Sequence, residues 1–249
     1  MRKLRRIALA AALPAVLSAP LWGPRVLERA PWFRVARVEV SGVRMIAPHE
    51  VLAASGIRPG ESVWRDPEPW RAALRLHPGV EDARVVRRLP VTLRIEVREK
   101  RPVGLVEAGT LHPVTAAGEV LPVDPARIPV DLPLLRVAPA RGGRGADAAL
   151  RALAAEVGRL GDLDPGLVAR VSEARWGGRG IVLLALSAPD VRVLLPAGAE
   201  STRLRQLRAA LDEIERRLPP NADTAGIPEP VRVDLRFQDQ VVVRFPTRA

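Results

Sequence analysis

Cysteine and tyrosine are both absent from the 249 residues. The first absence removes disulfides, cysteine-ligated zinc and thiol catalysis together. It leaves the compartment open, because a chain can be exported without disulfides. Aromatics are only 3%, five Trp and three Phe, so a core must be built from Val, Leu, Ile and Ala. Lysine is nearly missing too: beyond Lys3 and Lys100, the formal charge of +11 rests on arginine. Those arginines are scattered among Glu and Asp, with no aromatic stacking platform beside them, which argues against a nucleic-acid partner.

Catalytic signatures are missing as well. His49, His77 and His112 do not pair at metal-binding spacing, and no His-Glu-x-x-His or Gly-x-Ser-x-Gly occurs. The glycine-rich stretch Arg141–Ala146 lacks the Lys-Ser/Thr of a phosphate loop and reads as a loop. Most carboxylates alternate with Arg on strand faces, so solvated ion pairs account for them, Glu96 and Glu99 included. The expectation is a chain that is not an enzyme, with no cofactor, no metal and no small-molecule substrate.

The N-terminus has a definite character. Residues 1–6 form a basic cap, and residues 7–23 carry no charge. That run sits at the short end of a bilayer span, which needs about 20 residues at 1.5 Å rise each. It reads either as a retained signal anchor with a cytoplasmic N-terminus or as a cleaved signal peptide. Leu17 at −3 and Pro20 at +1 would suit a peptidase poorly, and Trp22 suits an interfacial anchor, so retention is favoured. In either case the remaining chain is exported. Residues 24–32 then form a stalk.

From residue 33 the pattern becomes that of a small α/β unit. Val38 and Val40 alternate with Arg37 and Glu39 as a strand ending at Ser41-Gly42. Residues 47–56 form a short helix with Pro48 in its first turn and Gly56 as its stop. Asp66 is the expected N-cap of a second helix, with Pro67 at its first position and Trp70, Ala73, Leu74 and His77 at helical spacing. Two strands follow around Leu89-Pro90. In the second, Leu93, Ile95 and Val97 face the core. The order is β-α-α-β-β, with helices over one face of a three-stranded sheet.

Three phrases in this unit go together: "V-x-V-x-G" at Val38, Val40 and Gly42; "h-P-x-V-x-x-A-x-V-x-R-x-L-P" at His77, Pro78, Val80, Ala83, Val85, Arg87, Leu89 and Pro90; and "L-x-I-x-V-x-E-x-x-P-V" at Leu93, Ile95, Val97, Glu99, Pro102 and Val103. Together they resemble a POTRA domain, most of all that of the bacterial cell-division family FtsQ/DivIB. The second half continues the likeness. Leu132, Pro133 and Leu135 reproduce "L-P-x-L", and Val233, Asp234, Leu235, Arg236 and Phe237 reproduce "V-D-L-R-[YF]". Thr115 stands where the family usually carries Asp.

Between these phrases, Leu150, Leu153, Val157 and Leu160 mark a helix stopped by Gly161. Residues 168–176, 181–186 and 191–195 read as strands. Residues 201–218 read as the longest helix, with Leu204, Leu207, Leu211, Ile214 and Leu218 on one stripe. Residues 231–237 and 240–245 form a closing antiparallel pair around Gln238-Asp239. The expected fold class is α+β: a single N-terminal transmembrane helix (7–23), a POTRA domain (33–102), and a mostly antiparallel FtsQ-type β domain with two helices (103–249).

The resemblance implies a membrane-anchored division protein of the septum. It implies an inner-membrane position with the bulk of the chain periplasmic, and partners of the FtsB/DivIC and FtsL kinds alongside other divisome proteins, bound by strand addition at the terminal region. The residues expected to carry that contact are Phe237, Gln240, Val241, Val242, Val243, Arg244 and Phe245. Val242→Pro is the substitution expected to block augmentation. Three other readings compete. One is a POTRA component of an outer-membrane assembly or secretion system, but the chain has one unit and no run of barrel strands. The others are a periplasmic wall-polymer enzyme and an arginine-rich nucleic-acid binder.

Overall fold

The computed structural model describes residues 26–123, 132–137, 144–187, 189–217, 230–237 and 240–245. The expected anchor at 7–23 lies outside these. Among the described residues no helix is long and apolar enough to cross a membrane. Contacts divide the chain into two units between Lys100 and Arg101.

The first unit holds β1 (Arg37–Ser41), α1 (Pro48–Ser55), α2 (Glu68–Arg75), β2 (Val80–Arg88) and β3 (Thr92–Glu99). The sheet order is β1-β3-β2, with β1 parallel and β2 antiparallel to β3. Val51 of α1 and Trp70 and Leu74 of α2 bury against Leu93, Ile95 and Val97 of β3. Gly56 ends α1 at φ 66, in the left-handed region where glycine is unstrained. Asp66, expected as the N-cap, stands one residue before it, with its Oδ1 accepting the Glu68 N–H at 3.0 Å. Pro67 lies just before the helix rather than at its first position. The helix ends at Arg75, so His77 falls in the following turn, where its Nδ1 accepts the Gly79 N–H.

Glu99 departs from the solvated reading. Its carboxylate accepts the backbone N–H groups of Arg44, Met45 and Ile46 at 2.8–3.0 Å through Oε1. It therefore pins the loop between β1 and α1 to the end of β3. Arg87 is likewise fixed: it donates to Val63 O at 2.8 Å and Arg65 O at 3.1 Å, with its guanidinium over the Trp64 ring.

The second unit holds β4 (Pro102–Ala108), β5 (Thr110–Thr115), β6 (Leu134–Arg136), α3 (Arg144–Leu163), α4 (Pro165–Val168), β7 (Val171–Gly178), β8 (Ile181–Ser187), β9 (Asp190–Pro196), α5 (Ser201–Arg217), β10 (Val231–Asp234) and β11 (Val242–Arg244). One sheet runs β11-β10-β9-β8-β7-β6-β4-β5. Neighbours in sequence pair antiparallel: β4/β5, β7/β8, β8/β9 and β10/β11. The pairs β4/β6, β6/β7 and β9/β10 are parallel. A parallel pair needs a crossover. Helix α3 supplies one between β6 and β7, and α5 another between β9 and β10. Leu153, Val157 and Leu160 of α3 and Leu204, Leu207, Leu211 and Ile214 of α5 bury against Ala174, Val182, Leu184, Val191, Val193, Val231 and Val233.

Several boundaries differ from expectation, each because packing or capping outweighs a local signal. Helix α3 runs through Gly161 to Leu163. A mid-helix glycine costs about 1 kcal/mol, and the buried Leu160 holds the last turn in place. The break comes at Asp164, whose Oδ1 caps α4 by accepting the Leu167 N–H at 2.9 Å. Arg144–Ala146 is helical, while 141–143 lie outside the described residues, so among the described residues α3, at 20 residues, is longer than α5. Leu218 also lies outside. Val168 closes α4, so the next strand starts at Val171, and among the described residues a one-turn helix adds to the expected two.

Candidate partner-binding edge

The closing strands are shorter than expected. β10 ends at Asp234 and β11 covers Val242–Arg244, with Gln240, Val241 and Phe245 flanking it outside the strand and Phe237 in a bend. The intervening turn at Gln238-Asp239 lies outside the described residues. Asp234 organises the near side. Its carboxylate accepts the Arg236 N–H at 3.0 Å and grips the Arg236 guanidinium at 2.6–3.0 Å. That hydrogen bond holds the Asp234 carboxyl below its ordinary value. Arg236 also lies over the ring of the exposed Phe237.

Among the described residues β11 occupies the end of the sheet and pairs with β10 alone. Which of its backbone groups point outward follows from the hydrogen bonds of β10. The Leu235 N–H donates to Leu194 O at 2.9 Å, toward β9. Backbone direction alternates along a strand, so 231, 233 and 235 face β9, and Arg232 and Asp234 face β11. Their register partners, Arg244 and Val242, therefore use their backbone groups on β10. Val241, Val243 and Phe245 turn theirs outward. The expectation that Val242→Pro would remove a free N–H is corrected: that N–H belongs to the ladder, and Val243 carries the free one.

The side chains sort by face. Val241 and Val243 pack half-buried on the core beneath, and Arg217 of α5 stacks on Phe245 with its guanidinium 5.7 Å from the ring centre. Val242 and Arg244 turn to the other face, which carries no helix among the described residues. There the register aligns Glu173, Ala185, Arg192, Arg232 and Arg244 across β7 to β11. Three arginines thus stand side by side on adjacent strands, an arrangement that is unfavourable when like charges are directly opposite. Among the described residues none of the three forms an ion pair; Asp234 feels the charge of Arg244 but pairs with Arg236. Arg192 and Arg232 border a 460 Å³ hollow with Arg175 and Glu173, floored by Leu183, Ala185, Leu194 and Pro230. Sequence reasoning missed this row. Its only trace is the Val-Arg-Val repeat at 191–193 and 231–233, and nothing local says that the two arginines meet.

Comparison with known proteins bears on this arrangement. The family model "POTRA domain, FtsQ-type" matches residues 33–100, and "Cell division protein FtsQ/DivIB, C-terminal" matches residues 104–236. The chain belongs to the FtsQ/DivIB family of cell division proteins. Among its relatives, the cell division protein FtsQ of Anaeromyxobacter sp. (strain K) is 32% identical over 191 residues, covering 72% of this chain and 59% of that protein. FtsQ of Geotalea daltonii is 25% identical over 259 residues, covering 98% and 88%. The cell division protein DivIB of Geobacillus kaustophilus is 29% identical over 151 residues, covering 59% and 54%. The match thus spans less than two thirds of the first of these relatives. The FtsQ/DivIB C-terminal match stops at Arg236, so β11 lies beyond it.

Proposed function

We propose that this chain is a non-enzymatic scaffold of the division septum, anchored in the inner membrane by residues 7–23, that holds FtsB/DivIC-like and FtsL-like partners and helps assemble the septal wall machinery. The observation that carries the reading is the exposed edge of β11. Its outward N–H and C=O groups at Val241, Val243 and Phe245 can accept a partner strand, as sheet edges do in strand addition. The valine face beneath and the arginine row above set the partner's chemistry. An added strand continues the row past Arg244, so its residue at that register position is acidic, and its alternate residues are apolar.

The test is affinity capture of FtsB-like and FtsL-like partners by the full-length chain. Val243→Pro removes the outward N–H at an edge position that tolerates proline, and partner capture is expected to fall at least tenfold while the fold is retained. Capture at full strength would overturn the strand-addition reading. A fluorescent fusion that fails to gather at mid-cell before constriction would overturn the septal reading as a whole.

A further inference from the structure

The stalk meets the first unit as a braced corner. Val63 N–H donates to Phe33 O at 2.9 Å, Val35 N–H to Glu61 O at 2.8 Å, and Gly60 N–H to Val35 O at 3.1 Å. Phe33 turns inward and meets Trp64 edge-on, ring centres 5.9 Å apart. Its neighbour Trp32 turns outward and is 69% exposed, the most exposed of the described aromatics. On either side of it stand Arg29 and Arg34. Among the described residues neither forms an ion pair, and Arg34 reaches only Gly60 O, at 3.5 Å. Both border an open hollow of 790 Å³ that also carries Glu28 and the ion-paired Arg65 and Glu61, so Arg29 and Arg34 are its unpaired cations among the described residues.

We infer that this corner, Trp32 with Arg29 and Arg34, seats in the headgroup layer of a bilayer carrying anionic phospholipid. An indole with a polar N–H edge and an apolar body is suited to that layer, and guanidinium groups pair with headgroup phosphates. Reach supports the same occupant. Eight residues lie between Gly23 and Trp32, and residues 26–29 are a helical turn, so the chain between them spans about 25 Å at most. The inference rests on residues 7–23 being a membrane anchor. It adds that the first unit is held against the lipid in a fixed orientation and does not swing on a free leash.

The chain has no cysteine, so a single introduced one can carry a nitroxide label without competition. The full-length protein is placed in lipid nanodiscs with the label at Pro59→Cys, in the turn that meets Arg34 and Val35, or at Leu76→Cys, 85% exposed at the end of α2. In discs containing phosphatidylglycerol the Pro59 label is expected to be shielded from a water-soluble nickel relaxant, and the Leu76 label to remain open. Each of Arg29→Ser and Arg34→Ser is expected to shift the docked-to-free ratio toward free by about fivefold, and Trp32→Ser to abolish shielding. Pure phosphatidylcholine discs are expected to weaken shielding in the parent protein. Equal nickel access at both positions, in a chain that copurifies with the discs, would overturn the docking alone. A chain that fails to copurify with the discs would overturn the anchor and the docking with it.

Discussion

Glu99 and Asp164 are the two carboxylates whose loss should be felt most in stability. Glu99 accepts three consecutive N–H groups from residues 44–46. Glu99→Ala leaves those donors without their partner, and a destabilisation of about 2–3 kcal/mol is expected in chemical denaturation. Asp164 is 2% exposed, caps α4, and receives the Arg208 guanidinium at 2.6 Å through Oδ2. The Arg208 hydrogen bond holds its carboxyl below the ordinary 3.8, against the opposing effect of burial. A depressed carboxylate contributes stability that is fully present above its unfolded value and is lost as pH falls through the folded one. Thermal unfolding of the parent protein is therefore expected to soften below about pH 4. Asp164→Asn keeps the capping oxygen but should flatten that acid limb. An unchanged pH profile in Asp164→Asn would remove the assignment.

Strands make a sharper demand on single positions. Gly42 closes β1 at φ +83, and a Cβ there would stand 2.1 Å from Val97 O in β3. Gly42→Ala is expected to destabilise the first unit by about 2 kcal/mol or more in denaturant titration. This is the physical content of the glycine in "V-x-V-x-G". At the other end of the chain, Val242→Pro and Val243→Pro should behave as opposites. The first removes a ladder N–H donated to β10 and should loosen β11 itself, read as faster amide exchange at Arg232 and Asp234, whose backbone groups face β11. The second should leave that exchange unchanged and lose the partner. The two strands were legible as apolar alternation. Their length was not: β10 stops at Asp234 because Arg236 folds back onto the Asp234 carboxylate.

Over the whole molecule the charge of +11 is unevenly used. In the first unit Arg94 pairs with Glu39, Arg75 with Asp82 and Arg98 with Glu81. On the helix-free face of the second unit Arg192, Arg232 and Arg244 stand together without ion pairs among the described residues. Partner binding should therefore weaken with salt, since exposed charges are screened over about 10 Å at 0.1 M. In calorimetric titration against the FtsB-like partner, Arg232→Glu with Arg244→Glu is expected to cost about 1–2 kcal/mol and to cut the salt dependence. Salt-independent binding that tolerates the double reversal would show that the row plays no part.

Much of this protein can be read along the chain. Periods of 2 and 3.6 are local properties, so Leu93, Ile95 and Val97 announced a core strand, and Leu204, Leu207, Leu211 and Ile214 a packed helix, before any coordinates. A cap such as Gly56 is equally local. The family phrases were legible for the same reason, each lying within one short segment. The neighbour relations were not. That β9 lies parallel to β10, that the Leu235 N–H turns to Leu194, and hence that Val243 rather than Val242 offers its backbone outward, depend on pairing between segments far apart in sequence. Register across strands is set by the crossover of α5 and by the burial of Val191, Val193, Val231 and Val233 beneath it. Three arginines that look scattered in the sequence become one row only when that burial has aligned them.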